Sequence, residues 1–299
     1  MKNIVAEIRD WQKKRNAVIL VHNYQPAEIQ EIGEFRGDSL DLSRKAAQVE
    51  AEVIVFCGVR FMAETAKIIS PQKTVLLPDI EAGCPLADMV TPEDILKRRA
   101  EYPSAAVVTY INSSVEVKAE SDYICTSSNA LKLVQQIPAE TILFFPDQNL
   151  GDFIREKTTK KMVLWPGYCP THTVFLPSEL AVLKEKHPKA ILMVHPECRR
   201  EIRHMADLVL STGGMVQWVK ENNPREVIVG TEIGMIHRLQ RENPKITYIP
   251  GSNRASCPNM KKITLEKILW SLKELKPVIT VPAGIAGRAK LALERMLKY

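Results

Sequence analysis

Three cysteines recur at one place in a repeating pattern: Cys84 in GCPLA, Cys169 in YCPTH and Cys257 in SCPNM, each followed by proline. The steps between them are 85 and 88 residues. Three thiolates gathered at one point can hold a zinc ion with a fourth ligand, or a 4Fe-4S cluster in which one iron has no cysteine. The proline removes a backbone donor and stiffens the loop that presents each thiol. Cys169-Pro170-Thr171-His172 offers zinc a thiolate and an imidazole at short spacing. A closed structural zinc, however, has no need of reactive side chains around it, whereas an open iron acting as a Lewis acid would use them. The other cysteines share no register. Cys57 in VIVFCG and Cys125 in YICTSSN read as core, and Cys198 in HPEC stays unassigned.

The reactive side chains lie at the ends of apolar runs. VILVHN (18–23), VVTYIN (107–112) and ILMVHP (191–196) deliver His22, Asn23 and Tyr24, then Tyr110 and Asn112, then His195 and Glu197. A second set of junctions delivers Ser39, then Ser127 and Ser128, then Ser211, Thr212, Gly213 and Gly214. A third delivers Asp147 in one unit and Thr231 with Glu232 in the next, and the fourth delivers the cysteines. Four landmarks thus share a period of roughly 86 residues, too long for a solenoid unit. Each repeat is expected to be a small domain.

Continuous apolar runs suit parallel strands buried on both faces, and the segments between them read as helices. Thr91-Pro92-Glu93-Asp94 has a cap, a first-turn proline and acids in order, and Pro177-Ser178-Glu179 repeats the pattern. The expected fold is α/β: three similar three-layer α/β/α domains with parallel sheets around a pseudo-threefold axis and a central cleft. The boundaries are 1–85 with 260–299, then 86–170, then 171–259. The final amphipathic helix is expected on the first domain, and lysines and arginines on helix faces are expected in solvent. Ligands of such sheets sit outside the carboxyl ends of the strands, so these ends would line one cavity.

Composition excludes several classes. Hydrophobic residues make up 45% and charged residues 25%, as in a globular chain, and no apolar run is long enough to span a membrane. The first residues show one apolar helical face (Ile4, Val5, Ile8, Trp11) rather than a signal peptide, so a cytoplasmic location is expected. Six cysteines without a C-x-x-C pair are no disulfide framework. A charge of +6 spread along the chain favours small anions over nucleic acid or a membrane surface. No glycine fingerprint for a flavin or nicotinamide is present.

The motifs HNYQPAEIQ, GDSLDLSRKA, FCGVRFMAE, CPLADMVT, YINSSVEVKAESDYICTSSNA, PDQNLG, HPEC, STGGM, GTEIGMIHRL and CPNMKKITLEK, in this order, resemble quinolinate synthase. The resemblance runs from about residue 17 to about residue 275. It implies one 4Fe-4S cluster per chain, held by Cys84, Cys169 and Cys257. It implies condensation of iminoaspartate with dihydroxyacetone phosphate, with loss of phosphate and two waters, in NAD biosynthesis. A separate oxidase or dehydrogenase would supply the iminoaspartate.

By the same resemblance Tyr24, Glu197 and His195 match proton-transfer residues. His22, Ser39, Tyr110, Asn112, Ser127, His172, Ser211 and Thr212 match substrate contacts. Ser39, Ser127 and Thr212 are expected to open helices, where free N–H groups favour carboxylate or phosphate. Glu232 is left between a catalytic and an orienting part, and His237 reads as structural. Some longer relatives carry a C-terminal cysteine pair that acts as a thiol switch. Cys257 is the last cysteine here, so no such switch is expected. Another hydro-lyase using the same open iron, or a non-catalytic zinc or electron-transfer protein, are the alternatives the residues leave open.

Overall fold

A computed structural model describes residues 2–298. Twelve strands form three four-stranded parallel sheets. The first holds β1 (Ala17–His22), β2 (Phe35–Gly37), β3 (Val53–Cys57) and β4 (Thr74–Leu76), ordered β2-β1-β3-β4. The second holds β5 (Ala106–Tyr110), β6 (Tyr123–Cys125), β7 (Thr141–Phe145) and β8 (Lys161–Leu164), ordered β6-β5-β7-β8. The third holds β9 (Ile191–Val194), β10 (Leu208–Val209), β11 (Glu226–Gly230) and β12 (Thr247–Pro250), ordered β10-β9-β11-β12. One strand order used three times is the structural form of the sequence repeat. Helices connect the strands, and none of the sheets closes into a barrel.

The apolar runs become strands because both faces of these sheets are covered. Every residue of β3 and β5 is buried. Each buried Val, Ile or Phe contributes roughly 1.5–3 kcal/mol of transfer free energy. The helix Pro92–Glu101 starts as its sequence announces: Asp94 N donates to Thr91 Oγ1 at 3.2 Å while Thr91 N donates to Asp94 Oδ2 at 2.9 Å. Pro92 occupies the first turn, where its missing N–H costs nothing. Helix Pro177–Lys186 shares the proline but has Leu176 before it and no side-chain cap.

The first two sheets share one apolar core with the two C-terminal helices, Leu265–Glu274 and Ala283–Leu297. The third sheet has two apolar clusters of its own. The last helix departs from the expected packing. It lies on helix Val115–Ala119 and β6 of the second sheet as well as on helix Arg60–Ile69 of the first. Met296 O accepts from Asn129 Nδ2 at 3.1 Å, and Arg288 pairs with Glu120 at 2.9 Å, which ties the helix to the second unit.

Two cations expected in solvent are buried. Arg203 sits between Asp152 and Asn149 O, at 2.6 and 2.9 Å. Lys118 is fully buried over the Phe61 ring and donates to Ser113 O. Burial pulls its ammonium down to about 8, against the opposing fields of Glu64 and Cys84.

Candidate active site

The carboxyl ends of the three sheets meet around one cleft, with about 660 Å³ of atom-free space. Of the residues singled out in the sequence, Tyr24, His22, Ser39, Tyr110, Asn112, Ser127, His172, His195, Glu197, Thr212 and the three cysteines Cys84, Cys169 and Cys257 line it. Ser211 does not. Its Oγ accepts from Gly214 N at 3.2 Å, so it caps helix Thr212–Asn222 from behind the wall. The sequence also left out the apolar part of the wall: Val59, Phe61, Met62 and Met260.

All six cysteines are free thiols. Cys57 and Cys125 lie within strands and are fully buried, and Cys198 belongs to an apolar cluster of the third unit. The other three begin short turns. Backbone N–H groups of Leu86 and Ala87 point at the Cys84 sulfur, those of Asn259 and Met260 at Cys257, and that of His172 at Cys169. The proline after each cysteine occupies the first position of the turn, where no donor is wanted. Burial pushes the Cys84 thiol up to about 12 and raises Cys169 and Cys257 as well, despite those N–H groups. Uncompensated buried thiols of this kind become thiolates when a metal replaces their protons.

Two buried acidic side chains orient the cysteine loops. Glu232 Oε1 accepts from Cys257 N at 2.9 Å and pairs with Lys261 Nζ at 2.8 Å, while Oε2 accepts from Gly234 N at 2.7 Å. Lys261 also donates to the carbonyl of Tyr24, so one ion pair joins the Cys257 loop to the end of β1. Asp147 holds the equivalent place in the second unit and faces the backbone N–H of Cys169. A side chain at Gly234 would come within 2.8 Å of both Glu232 Oε2 and Tyr24 O, so glycine is needed there. Glu232 is therefore an orienting residue, and His237 pairs with Glu31 away from the cleft, at 2.9 Å.

A hydrogen-bonded chain crosses the cleft. Glu197 Oε2 lies 2.6 Å from His172 Nδ1, His172 Nε2 lies 2.9 Å from Thr231 Oγ1, and Thr231 Oγ1 lies 2.7 Å from Tyr24 Oη. This is a base oriented by a carboxylate and aimed at a hydroxyl. Burial alone would raise the Glu197 carboxyl, but His172, and then His195, outweigh it and hold it down at about 2. Burial and the neighbouring Glu197 charge keep the Tyr24 and Tyr110 phenols protonated, well above their ordinary value. Thr231, between Gly230 and Glu232, joins the ends of this chain, and its strand-end position was the only sign of it in the sequence.

Two histidines are kept neutral. Burial, then the Lys261 charge, lowers His22 to about 3; burial, then His172, lowers His195 to about 3. His22 Nδ1 accepts from Tyr24 N at 3.2 Å and His195 Nδ1 accepts from Glu197 N at 3.3 Å. The network therefore assigns the proton of each to Nε2, which for His195 lies 3.3 Å from Ser127 Oγ. His195 stacks on His172 with ring centres 4.6 Å apart.

The far side of the cleft carries hydroxyls. Ser39 and Thr212 are the first residues of helices Ser39–Gln48 and Thr212–Asn222, capped by Asp38 and Ser211. Ser127 opens no helix. It sits in the turn Thr126–Asn129, ahead of helix Ala130–Gln136, because Asn129 Oδ1 takes the Thr126 N–H at 2.7 Å. Behind them Ser128 Oγ donates to Asp38 Oδ2 at 2.5 Å and lies 3.0 Å from Ser211 Oγ, one residue from each unit. Two cleft atoms, Asn112 Oδ1 and Glu197 Oε1, are buried without a partner.

Residues 6–298 match the family described as quinolinate synthetase A protein. The chain belongs to the quinolinate synthase family. It is 53% identical over 292 residues to the quinolinate synthase of Dehalococcoides mccartyi (strain ATCC BAA-2266 / KCTC 15142 / 195), covering 98% of this chain and 97% of that one. It is 51% identical over 296 residues to that of Desulforudis audaxviator and 47% identical over 294 residues to that of Methanosarcina barkeri, with the same coverage. Membership of this family makes the chain an enzyme of NAD biosynthesis. No helix among the described residues is long and apolar enough to cross a membrane.

The cysteine set suits a metal group, and its spacing bears on which. In a zinc tetrahedron with bonds of about 2.3 Å, sulfurs stand about 3.8 Å apart. Among the described residues the ligand atoms that come within 4.8 Å as a trio are those of Cys169, His172 and Glu197, not the three thiols. The three thiols are not grouped as closely as that trio.

Proposed function

We propose that this family member condenses iminoaspartate with dihydroxyacetone phosphate to quinolinate, releasing phosphate and two waters. The observation that carries the reading is the convergence of three thiols, on equivalent loops of three repeats, with the Glu197–His172–Thr231–Tyr24 chain in one cleft. In this reading Cys84, Cys169 and Cys257 hold a 4Fe-4S cluster. When bound, the cluster supplies Lewis acidity through the iron that has no cysteine. The proposal includes the division into three repeats, 1–85 with 260–299, 86–170 and 171–259; the shared strand order supports the three repeats, while helix Ala283–Leu297 rests on the second unit as well as the first.

The chain's own residues account for the proton movements. The neutral phenol of Tyr24 gives or takes a proton through Thr231 Oγ1 and His172 Nε2, and the Glu197 carboxylate stabilises the imidazolium that forms. Such a placed acid or base contributes about 10²–10⁴ in rate. His22 and His195 act as neutral Nε2–H donors to substrate oxygens and are not consumed as acids. Ser39, Ser127 and Thr212 offer hydroxyls to a carboxylate or phosphate near two helix starts. Asn112 and Tyr110 complete the polar wall, and the Asp38 carboxylate is kept from opposing an anion by its bonds to Ser128, Leu40 N and Asp41 N.

The test is anaerobic purification with iron and sulfide counts, followed by product analysis. About four irons and four sulfides per chain, with quinolinate formed from the two substrates, is the expected outcome. A chain with full iron and sulfide that makes no quinolinate would sink the substrate assignment. A zinc-free chain that takes up no iron or sulfide on anaerobic reconstitution would sink the cofactor.

A further inference from the structure

We propose that the chain without its cluster binds one zinc-class divalent ion at Cys169, His172 and Glu197, a mononuclear site that shares a single residue with the three-cysteine set. Cys169 Sγ lies 3.2 Å from His172 Nδ1, Glu197 Oε2 lies 2.6 Å from the same nitrogen, and all three ligand atoms fall within 4.8 Å of one another. Around a tetrahedral zinc with bonds of about 2.0–2.3 Å, neighbouring ligand atoms stand about 3.3–3.7 Å apart. The shortest edge here must open by about 1 Å, and the ion then replaces the proton that now bridges His172 and Glu197.

Three further features favour a metal in this place. Glu197 Oε1 is buried without a partner, a carboxylate oxygen with spare capacity inside the site. His172 Nε2 lies 2.9 Å from Thr231 Oγ1, so the proton that the ion displaces from Nδ1 passes to Nε2 with Thr231 Oγ1 as its acceptor, and the Nδ1 lone pair is left for the ion. The charges also close. Cys169 loses its thiol proton to solvent, Glu197 binds as an anion, and a divalent ion between them makes a neutral buried unit. Thiolate, imidazole and carboxylate select zinc, cobalt or ferrous ions over magnesium or calcium.

Cys169 cannot serve this ion and the three-cysteine group together. A zinc-loaded chain is therefore closed to cluster assembly, and its Glu197–His172 pair is withdrawn from proton transfer. This competition rests on the cofactor reading above; the binding itself does not.

The experiment uses the reduced, metal-free full chain, titrated anaerobically with Co²⁺ and back-titrated with Zn²⁺. One Co²⁺ per chain with a thiolate-to-cobalt charge-transfer band is expected. The band should persist in Cys84→Ser and Cys257→Ser, vanish in Cys169→Ser, and need at least about tenfold more Co²⁺ in His172→Ala and Glu197→Gln. The three serine variants each remove one thiol of the same kind, so loss confined to Cys169→Ser does not report unfolding. Loss of the band in Cys84→Ser or Cys257→Ser would overturn the site in favour of a three-thiolate one, and no band in the unaltered chain would also overturn it. One equivalent of Zn²⁺ added before reconstitution should block most iron uptake; undiminished uptake would overturn the competition. A zinc-free chain that takes up no iron or sulfide would sink the cofactor reading instead, while the cobalt titration still decides the zinc site.

Discussion

Burial acts on Tyr24 and Glu197 in the same direction, yet their neighbours leave one neutral and the other charged. Burial and the Glu197 charge raise the Tyr24 phenol by more than its Thr231 bond lowers it, whereas His172 and His195 outweigh burial for Glu197. Tyr24→Phe keeps the ring that packs edge-on against His22 at 4.7 Å and removes only the hydroxyl at the end of the Thr231 chain. We expect full iron content with kcat lowered by about 10²–10⁴; unchanged turnover would remove Tyr24 from the proton path. The histidines give a pH signature. His22 and His195 have folded values of about 3, below the unfolded value of about 6.5, so the unfolded chain binds protons first as pH falls. Their contribution is complete above about pH 6.5 and declines toward pH 3, by up to about 1.4 kcal/mol per unit for each histidine. Urea unfolding at a series of pH values should show this limb, flattened in His22→Gln. These residues were legible in the sequence because a histidine or tyrosine at a strand end stands out. Thr231 was placed at a strand end but given no part, because a lone threonine there looks like any strand residue, and the capping bond of Ser211 was not legible because a cap and a substrate contact are both serine.

At the scale of the loops, the buried side chains of Glu232 and Asp147 hold the backbone N–H groups of two of the three cysteines. Glu232→Ala leaves the Cys257 N–H without its acceptor and Lys261 without its partner. An unsatisfied buried donor costs on the order of 1–3 kcal/mol, enough to loosen the turn that carries Cys257. We expect the iron-to-protein ratio after anaerobic reconstitution to fall in Glu232→Ala and to be partly restored in Glu232→Gln, which keeps an acceptor oxygen. Full iron in the alanine variant would reduce Glu232 to a bystander. By contrast, Cys57 and Cys125 are the fully buried last residues of β3 and β6, and Cys57→Ser and Cys125→Ser should leave iron content unchanged at some cost in stability. The strands and the Thr91 cap could be read from sequence since continuous apolar runs and a capping box are local signals. The seat of the final helix could not, because its small buried face, Ala289, Ala292, Leu293 and Met296, fits either neighbouring unit. Lys118 and Arg203 looked like surface charges because only tertiary packing puts them inside.

The whole molecule repeats one sheet three times but does not weld the three units equally. The first two share an apolar core, while the third meets them through polar links: Arg203 and Arg200 with Asp152, both at 2.6 Å, Gln30 Nε2 with Gly234 O at 3.0 Å, and the Ser128–Asp38–Ser211 trio. Separation at this seam would expose charges and hydroxyls that water can solvate, so it costs less than parting the shared apolar core. Asp152 carries the strongest of these links. Burial would raise its carboxyl, but Arg200 and Arg203 outweigh this and hold it down at about 2, below the usual carboxylate range. A depressed folded value means the stabilisation is present above the unfolded value of about 3.9 and is lost as pH falls from there through 2. Asp152→Asn should therefore lower stability at pH 7 by on the order of 1–3 kcal/mol, because Arg203 stays buried with weaker partners. The difference from the unaltered chain should shrink as pH falls through 2 and vanish below it, where both carry a neutral side chain. Hydrogen exchange should quicken in Gln148–Arg155 and Arg200–Met205, the two helices that meet at Asp152, while β1 and β5 in the shared core keep their protection. Equal acceleration in β1 and β5 would mean that the three units open as one body, and the seam would then be no easier to part than the shared core.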